Sequence, residues 1–500
     1  RQIALFSFAG LTCGLLLHTK ISLGLYLAPS LFLLTLGSLL AAEPGGLPFG
    51  KRAINFLLLS LFSVAGAIVG FGIGLIGSYG FDTDMYSQIS SGYSSAMSRA
   101  GPIEHLMVGL FLLVAIIVLL ILVAKKDQSL LGPCLAIAFI SLFTFKHAYV
   151  RQGHYLRFLL LAPFVLAAVS SMFSFKQKAN FAGNCVNFLA VLSAVLGFNY
   201  GIQKIGVMSF NNFHIRALAN AIPSLIGAKV RAYSNPNHLK HELHQESSSN
   251  LLPLRLPAST LAKIGNDSVD IIPSEASLVA ANNLNWQPRP VFQSYKAYTS
   301  DLDSLNANSV SSSPPEWILL HWGSIDGRHQ ILDEPSTFLE MLCNYRLYDV
   351  TQTDRINPVI LLEHHAANLC RSGEWSSPRA VTWGQKILID SELPTIASVD
   401  IRYSALGKLM KSAFRVPPVW LDVENIESGK KNTYRIVPEV SANGLLLAPL
   451  PDEPDQLVKL FEGSLSAAPV HFALRVESPW LYQDNPLIRL KSFSRERMTR

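Results

Sequence analysis

Charged residues are scarce in this chain of 500 residues. Asp, Glu, Lys and Arg together make up 15% of it, whereas hydrophobic residues make up 49%. This balance is too apolar for an ordinary soluble enzyme. The formal net charge is only +6, and the basic residues form no stripe with interleaved aromatic residues. The sequence therefore predicts no nucleic-acid partner.

Metal-binding spacing is also missing. The phrase His241-Glu-Leu-His244 sets its two histidines three residues apart, whereas the zinc helix requires a separation of four. Glu363-His-His365 follows a predicted strand, and adjacent histidines point to opposite faces of an extended chain. We therefore predict no metal site, and no feature of the sequence identifies a cofactor.

Cysteines number five, and their positions are more informative than their number. Cys13, Cys134 and Cys185 lie in apolar runs, whereas Cys343 and Cys370 lie in the polar half of the chain. Those last two are predicted to form a disulfide if their compartment is oxidising and their Cα atoms lie within about 7 Å. Two separate buried thiols are the alternative.

Long apolar runs are abundant before residue 203. Residues 106–124 and 155–175 each have about the length needed to cross roughly 30 Å of hydrocarbon. Five further runs have a similar composition: residues 3–18, 21–42, 53–78, 130–145 and 185–202. The sequence therefore predicts a transmembrane domain of about seven helices over residues 1–202. Because the chain starts at Arg1 without an initiator Met, we expect a fragment or a processed form with helices missing upstream.

The short loops differ in charge. With seven crossings, one side of the membrane collects Arg1, Lys51 with Arg52, Lys125 with Lys126, and Lys176 with Lys178. This side is cytoplasmic by the positive-inside rule. The loops around residues 82–84 and 146–157, and everything after residue 203, are then predicted to be exoplasmic.

The polar half has a different periodicity. Residues 203–250 read as an amphipathic segment and a polar linker. Short runs bounded by Pro, Asn, Asp and Gly follow, in which residues 269–272, 277–279 and 317–321 predict strands, and residues 302–307 and 335–345 predict helices. The predicted fold is thus an α-helical polytopic membrane domain, an exoplasmic α/β unit over residues 251–375, a β-sandwich over residues 376–490 and a basic tail over residues 491–500.

One basic stretch joins two apolar runs. It contains Lys146, His147, Arg151, His154 and Arg157 in a connection too short to leave the membrane surface. One interpretation is a set of side chains that fix helix ends at the lipid headgroups. The other is a binding site for a lipid phosphate, since Arg binds phosphate with two hydrogen bonds.

The first long polar connection carries two carboxylates, Asp82 and Asp84. In an extended loop both can turn towards one ligand and act as a base. A solvated loop with a helix cap at Asp84 is the alternative.

Several phrases resemble bacterial integral-membrane glycosyltransferases of the GT-C type. Near the N-terminus these are Gly14-Leu-Leu-Leu-His-Thr-Lys20 and Gly24-Leu-Tyr-Leu-Ala-Pro29. The polar half resembles the exoplasmic tail of a largely uncharacterised set of proteins with GT-C-like helices. The residues that carry this likeness are 145–154, Val269-Asp-Ile-Ile-Pro273, 285–295 with Tyr298, Ser324-Ile-Asp-Gly-Arg328, Asp333-Glu-Pro335 and 403–418.

The resemblance implies transfer of a sugar from a polyprenyl-phosphate donor on the exoplasmic face of the bacterial inner membrane. In that reading Asp82 or Asp84 is the catalytic base, although the acidic residue typical of these enzymes lies in an earlier loop. The five basic residues from Lys146 to Arg157 then hold the lipid phosphate. Trp286, Tyr295 and Tyr298 are candidates for stacking on sugar rings, and packing is their alternative role.

A second function class remains open. It is a non-catalytic envelope membrane protein whose exoplasmic domain binds glycan or a partner subunit. A transporter is disfavoured, because the sequence has neither inverted repeats nor charges deep inside its helices. The expected partners are a lipid-linked sugar and membrane lipids.

Overall fold

The computed structural model describes residues 2–19, 21–41, 48–76, 83–99, 101–151, nine positions from 154 to 169, 234–483 and 485–496. The chain divides into two compact units. The first holds Arg1–Asp82 and Arg99–Ala217, and the second holds Thr83–Ser98 and Leu218–Arg500. The predicted spans over residues 155–175 and 185–202 lie mostly or wholly outside the described residues.

Six helices begin the described part of the chain: α1 (Gln2–Thr19), α2 (Ile21–Leu40), α3 (Phe49–Ile76), α4 (Thr83–Ala96), α5 (Ile103–Lys126) and α6 (Leu131–Val150). All except α4 lie in the first unit. Three of the described segments are long and apolar enough to cross a membrane: Phe49–Ile76, Ile103–Lys126 and Gln128–Val150. The prediction of an N-terminal region of apolar helices is therefore confirmed.

Small residues let α1 and α3 approach closely. A Cβ added at Gly66 would overlap the carbonyl oxygen of Ser7, and one added at Gly70 would overlap the carbonyl oxygen of Leu11. In lipid, where apolar contact with a neighbouring helix gains little over contact with acyl chains, such close backbone packing is a main source of helix association.

The second unit continues with further helices and with strands. The helices are α7 (Pro236–Leu251), α8 (Ala258–Ile264), α9 (Ser277–Asn282), α10 (Ser300–Ser312), α11 (Gln330–Asp333), α12 (Pro335–Asn344), α13 (Ala405–Ala413) and α14 (Pro454–Glu462). The strands are β1 (Ser268–Ile272), β2 (Asn285–Trp286), β3 (Trp317–His321), β4 (Tyr345–Thr351), β5 (Val359–His364), β6 (Cys370–Ser372), β7 (Arg379–Ala380), β8 (Ile387–Ile389), β9 (Thr395–Asp400), β10 (Val419–Asn425), β11 (Lys431–Ile436), β12 (Leu445–Ala448), β13 (Val470–Val476) and β14 (Leu487–Arg495).

The first sheet is mixed and has the strand order β2-β1-β3-β5-β4. Strand β1 pairs in parallel with β2 and β3, whereas β5 pairs antiparallel with β3 and β4. All five residues of β3, Trp-Ile-Leu-Leu-His, are buried. A continuous apolar run of this length is typical of a strand covered on both faces.

Two antiparallel sheets follow. One has the order β11-β10-β13-β8, and the other has the order β12-β9-β14-β6, with β7 also paired to β14. One cluster of buried hydrophobic residues includes members of all three sheets, such as Ile318, Leu421 and Val399. The C-terminal region is therefore rich in strands that form sheets, as the sequence predicted.

One predicted strand is wrong. Residues 277–279 were expected to be extended, but they lie in helix α9. The side chain of Asn282 donates to the carbonyl oxygens of Leu278 and Leu254, and Asn283 then ends the helix at a φ of 52°. Hydrogen bonds to a distant segment thus decide the conformation of a run too short to have a clear periodicity.

Candidate functional site

The strand order of the mixed sheet contains a topological switch point at β1. From β1 the chain moves to β2 on one side, and it then crosses over to β3 on the other side. In open sheets with parallel strands, ligands bind outside the carboxyl ends of the strands at this point. Here Pro273, Ser274 and Glu275 follow β1, and Trp322 and Gly323 follow β3.

His321, the last residue of β3, is 9% exposed. Its burial lowers the pKa of the imidazole, and the hydrogen bond to Trp322 and the charge of Glu275 oppose this effect. The ring is therefore neutral at pH 7. Its Nδ1 lies 3.2 Å from the carbonyl oxygen of Trp322 and must donate to it. Nε2 is then a proton acceptor, and it is buried without a hydrogen-bond partner among the described residues.

Gln330 lies beside the same turn, at the start of α11. Its Oε1 accepts a hydrogen bond of 2.5 Å from the backbone N–H of Gly323. Its Nε2 is buried and has no partner in the described part of the chain. Gly323 also lies against His321, because an added Cβ would be 3.3 Å from His321 Cε1 and from Pro273 Cγ. The ends of β1 and β3 thus meet at Gly323.

A third segment reaches the end of β1. The N–H of Ser294 donates to the carbonyl oxygen of Pro273 over 2.9 Å. The neighbouring residue, Gln293, has a buried Oε1 without a partner among the residues described. Around the ends of β1 and β3 there are therefore one unused amide donor and two unused acceptors. Hydroxyl groups complement this set, because each can donate and accept at once.

A buried ionic network holds this edge of the sheet in place. Arg289 donates to Asp270 over 2.8 Å and lies 3.1 Å from Glu334, and all three side chains are at most 3% exposed. Glu334 also accepts hydrogen bonds from Ser294 and from Asn306. Burial raises the pKa of Glu334, and the charge of Arg289 opposes the rise. Since Ser294 bonds to Pro273 as well, the network fixes the end of β1.

The predicted sugar-stacking residues have different surroundings. Trp286 lies on β2, and its ring packs edge-on against Phe292 at 5.6 Å. Tyr295 is half-buried next to Ser294, and its carbonyl oxygen accepts a hydrogen bond from Arg328. Tyr298 is 2% exposed and packs against the ring of Tyr93 at 6.3 Å.

Of the two predicted catalytic carboxylates, Asp84 lies at the start of α4. Asp84 is exposed in the first helical turn, where it accepts a hydrogen bond of 3.1 Å from Gln88. A carboxylate in this position also interacts favourably with the helix dipole. Asp82 lies outside the described residues.

Four of the five predicted phosphate-binding residues lie in or shortly after the last turns of α6. Lys146 and His147 belong to its last turns, and Arg151 follows the helix. The rings of His147 and His154 are stacked with their centroids 6.0 Å apart. Two of the expected side chains are thus close together, and Arg157 lies outside the residues that the structure describes.

Sequence reasoning missed His321, Gln330 and Gln293. The available signal was the pair of strand-like runs at residues 269–272 and 317–321, followed by Pro273-Ser-Glu275 and by Trp322-Gly-Ser324. To use this signal one must know that β1 pairs with β3, and the sequence does not show this pairing. Within the described residues, no group of three or more His, Cys, Asp or Glu side chains could hold a metal ion.

Comparison with known proteins identified no relative of this chain. No family model matches the chain, and no curated protein and no solved structure matches it significantly.

Proposed function

We propose that this chain is an envelope membrane protein whose exoplasmic, strand-rich region binds a glycan at the carboxyl ends of β1 and β3. The observation that carries the proposal is the pairing of an unused acceptor, Nε2 of His321, with an unused donor, Nε2 of Gln330, at one turn. A sugar hydroxyl can donate to the first and accept from the second.

The absence of a cation among these groups supports a neutral ligand. His321 is uncharged, and its bare lone pair would repel a phosphate oxygen. Trp322 is only half-buried at the same turn, and Phe292 is 39% exposed beside Gln293. Aromatic side chains next to hydroxyl-binding groups suit a sugar ring, which has apolar C–H faces as well as hydroxyls.

The disulfide supports an exoplasmic location. Cys343 and Cys370 are bonded to each other with their Cα atoms 5.1 Å apart, which bears out the pairing predicted from the sequence. Disulfides persist in oxidising compartments and are rare in the cytosol. The shared core of the two antiparallel sheets supports the further proposal that they pack as a sandwich in that compartment.

The experiment is sugar binding by the full chain, in a detergent without a sugar headgroup. Saturation-transfer NMR with glucose, galactose and N-acetylglucosamine should give a signal for at least one sugar. His321→Phe keeps a ring of similar size but removes the acceptor nitrogen. It should weaken that binding about ten-fold or more, because a buried partner group is left unpaired.

The control is His471→Phe. His471 is half-buried on β13 of an antiparallel sheet, away from the ends of β1 and β3, and its replacement should leave binding unchanged. Equal binding by the His321→Phe variant and the unchanged protein would overturn the proposed site. Failure of all three sugars to bind would overturn glycan binding by this region.

A sugar transferase with a polyprenyl-phosphate donor is the second candidate. The stacking of His147 on His154, next to Lys146 and Arg151, supports it, because these groups could hold a phosphate together. Transfer outside the cytoplasm requires the exoplasmic orientation that is tested below.

A further inference from the structure

A polar cavity lies in the antiparallel part of the strand-rich region. Its volume is about 160 Å³. Three segments line it: the hairpin of β10 and β11, the connection from β12 to α14, and the segment that leads into β13. None of the residues around His321 belongs to its lining.

The hairpin builds one wall of this cavity. Strand β10 ends at Asn425, whose Oδ1 accepts a hydrogen bond of 2.9 Å from the N–H of Ser428. Gly429 then takes a φ of +66°, which glycine adopts without steric cost, and β11 begins at Lys431. The turn thereby directs Lys430 and the paired strand residues Asn432 and Tyr434 into the cavity lining.

Asp452 belongs to the connection from β12 to α14 and also lines the cavity. Its Oδ2 accepts from Lys430 Nζ at 2.6 Å and from Asn432 Nδ2 at 3.1 Å. Its backbone N–H donates to Gln456 over 3.1 Å, so the carboxylate is fixed in position. Its Oδ1 is buried and has no hydrogen-bond partner among the described residues. An ionised oxygen in this state requires a donor, and leaving it without one is costly.

The charges of the lining residues decide which kind of ligand can donate to Oδ1 of Asp452. Lys430 and Asp452 form an ion pair, so the cavity wall they share is electrically neutral. The ammonium group of Lys430 beside the carboxylate disfavours a metal cation. Leu447, Pro449 and Leu450 add apolar surface to the lining. A ligand that suits this lining is neutral and carries both hydroxyl donors and apolar C–H surface.

We infer that this cavity binds a single neutral sugar ring, with one hydroxyl donating to Asp452 Oδ1. The cavity is smaller than the roughly 300–1,000 Å³ typical of drug-sized ligands, so it has room for one ring and not for a chain. The ligand class rests on the proposed glycan binding, but the residues are separate. The strand-rich region then contacts a glycan at two places.

The test is photolabelling of the full chain with a diazirine-bearing N-acetylglucosamine, followed by peptide mapping. The unchanged protein should be labelled in peptides from residues 423–434 and 447–456. Asp452→Asn replaces the acceptor oxygen with an amide and should reduce this label about ten-fold or more. Ser466→Trp should reduce it equally by blocking the mouth, because Ser466 is an exposed residue of the lining.

Two controls separate the possible failures. Asp422→Asn removes an exposed carboxylate paired with Arg475 outside the cavity, and it should leave the label unchanged. His321→Phe should keep the label at residues 423–434 and lose label only near the ends of β1 and β3. Full labelling of the Asp452→Asn variant, or no label in these peptides of the unchanged protein, would overturn the cavity site. Loss of both labels in the His321→Phe variant would overturn their independence.

Discussion

At the scale of single residues, Arg289 is a buried cation next to the candidate site. One guanidinium lies between two buried carboxylates, Asp270 and Glu334, and it also donates to the hydroxyl of Ser294. Placing charges in the interior costs several kcal/mol per ion, and only complete pairing offsets this cost. The network therefore contributes little net stability, but removing one member leaves the others uncompensated.

Arg289→Met should destabilise the strand-rich region by about 3–5 kcal/mol, because Asp270 and Glu334 are left buried without their cation. Thermal unfolding of the full chain, followed by near-UV circular dichroism, measures the effect. Arg475→Met is the matched control, since Arg475 is half-exposed and pairs with Asp422 on the surface. That change should shift the transition little. Equal shifts in both variants would contradict the role of the buried network.

At the scale of elements, α4 is the unexpected one. It lies in the sequence between two apolar helices, α3 and α5, yet it belongs to the strand-rich unit. Arg435 of β11 donates to the carbonyl oxygen of Ser95, and Ser98 donates to the carbonyl oxygen of Val416. Buried Ala96 and Met97 complete the contact. The first long polar connection is thus a packed helix and not a free loop.

Gly92 lies close to Tyr298 where α4 packs against the rest of this unit. A Cβ at this position would overlap the Cβ of Tyr298. Gly92→Ala should therefore displace α4. In an exposed helix the same change normally stabilises the helix by about 1 kcal/mol. A cysteine at the buried position Ser95, with Cys13, Cys134 and Cys185 replaced by Ala, should react with maleimide much faster in the Gly92→Ala variant.

Ser91→Ala is the control for this helix. Ser91 is exposed on the next position of α4, so its replacement removes no contact with the strands. The cysteine at position 95 should remain slow to react in that variant. Slow reaction in the Gly92→Ala variant as well would show that α4 tolerates the added methyl group.

At the scale of the whole molecule, the apolar helices and the strand-rich region have different features. The N-terminal helices include three segments able to span a membrane, and the strand-rich region carries both candidate ligand sites and the disulfide. The glycan-binding proposal and the transferase proposal both require the strand-rich region to face the exterior. A glycan or a lipid-linked sugar would otherwise be on the wrong side of the membrane.

Orientation can be tested with single cysteines in an otherwise cysteine-free chain. Ser312→Cys, at the exposed end of α10, should react with a membrane-impermeant maleimide in intact cells. Ser129→Cys lies in the turn after Lys125 and Lys126 and should react only after permeabilisation, because this side is predicted to be cytoplasmic. The reverse pattern would contradict the orientation, and the transferase and glycan proposals with it.

The sequence by itself determined the features that depend on local patterns. The apolar runs predicted the N-terminal helices, and the buried run at residues 317–321 matches β3 to the residue. These features follow from composition and periodicity over a few neighbouring positions. Only the tertiary structure decided the helix at Ser277, the packing of α4 and the positions of His321 and Gln330 beside Gly323. Each of these depends on contacts between segments far apart in the chain, which no local periodicity encodes.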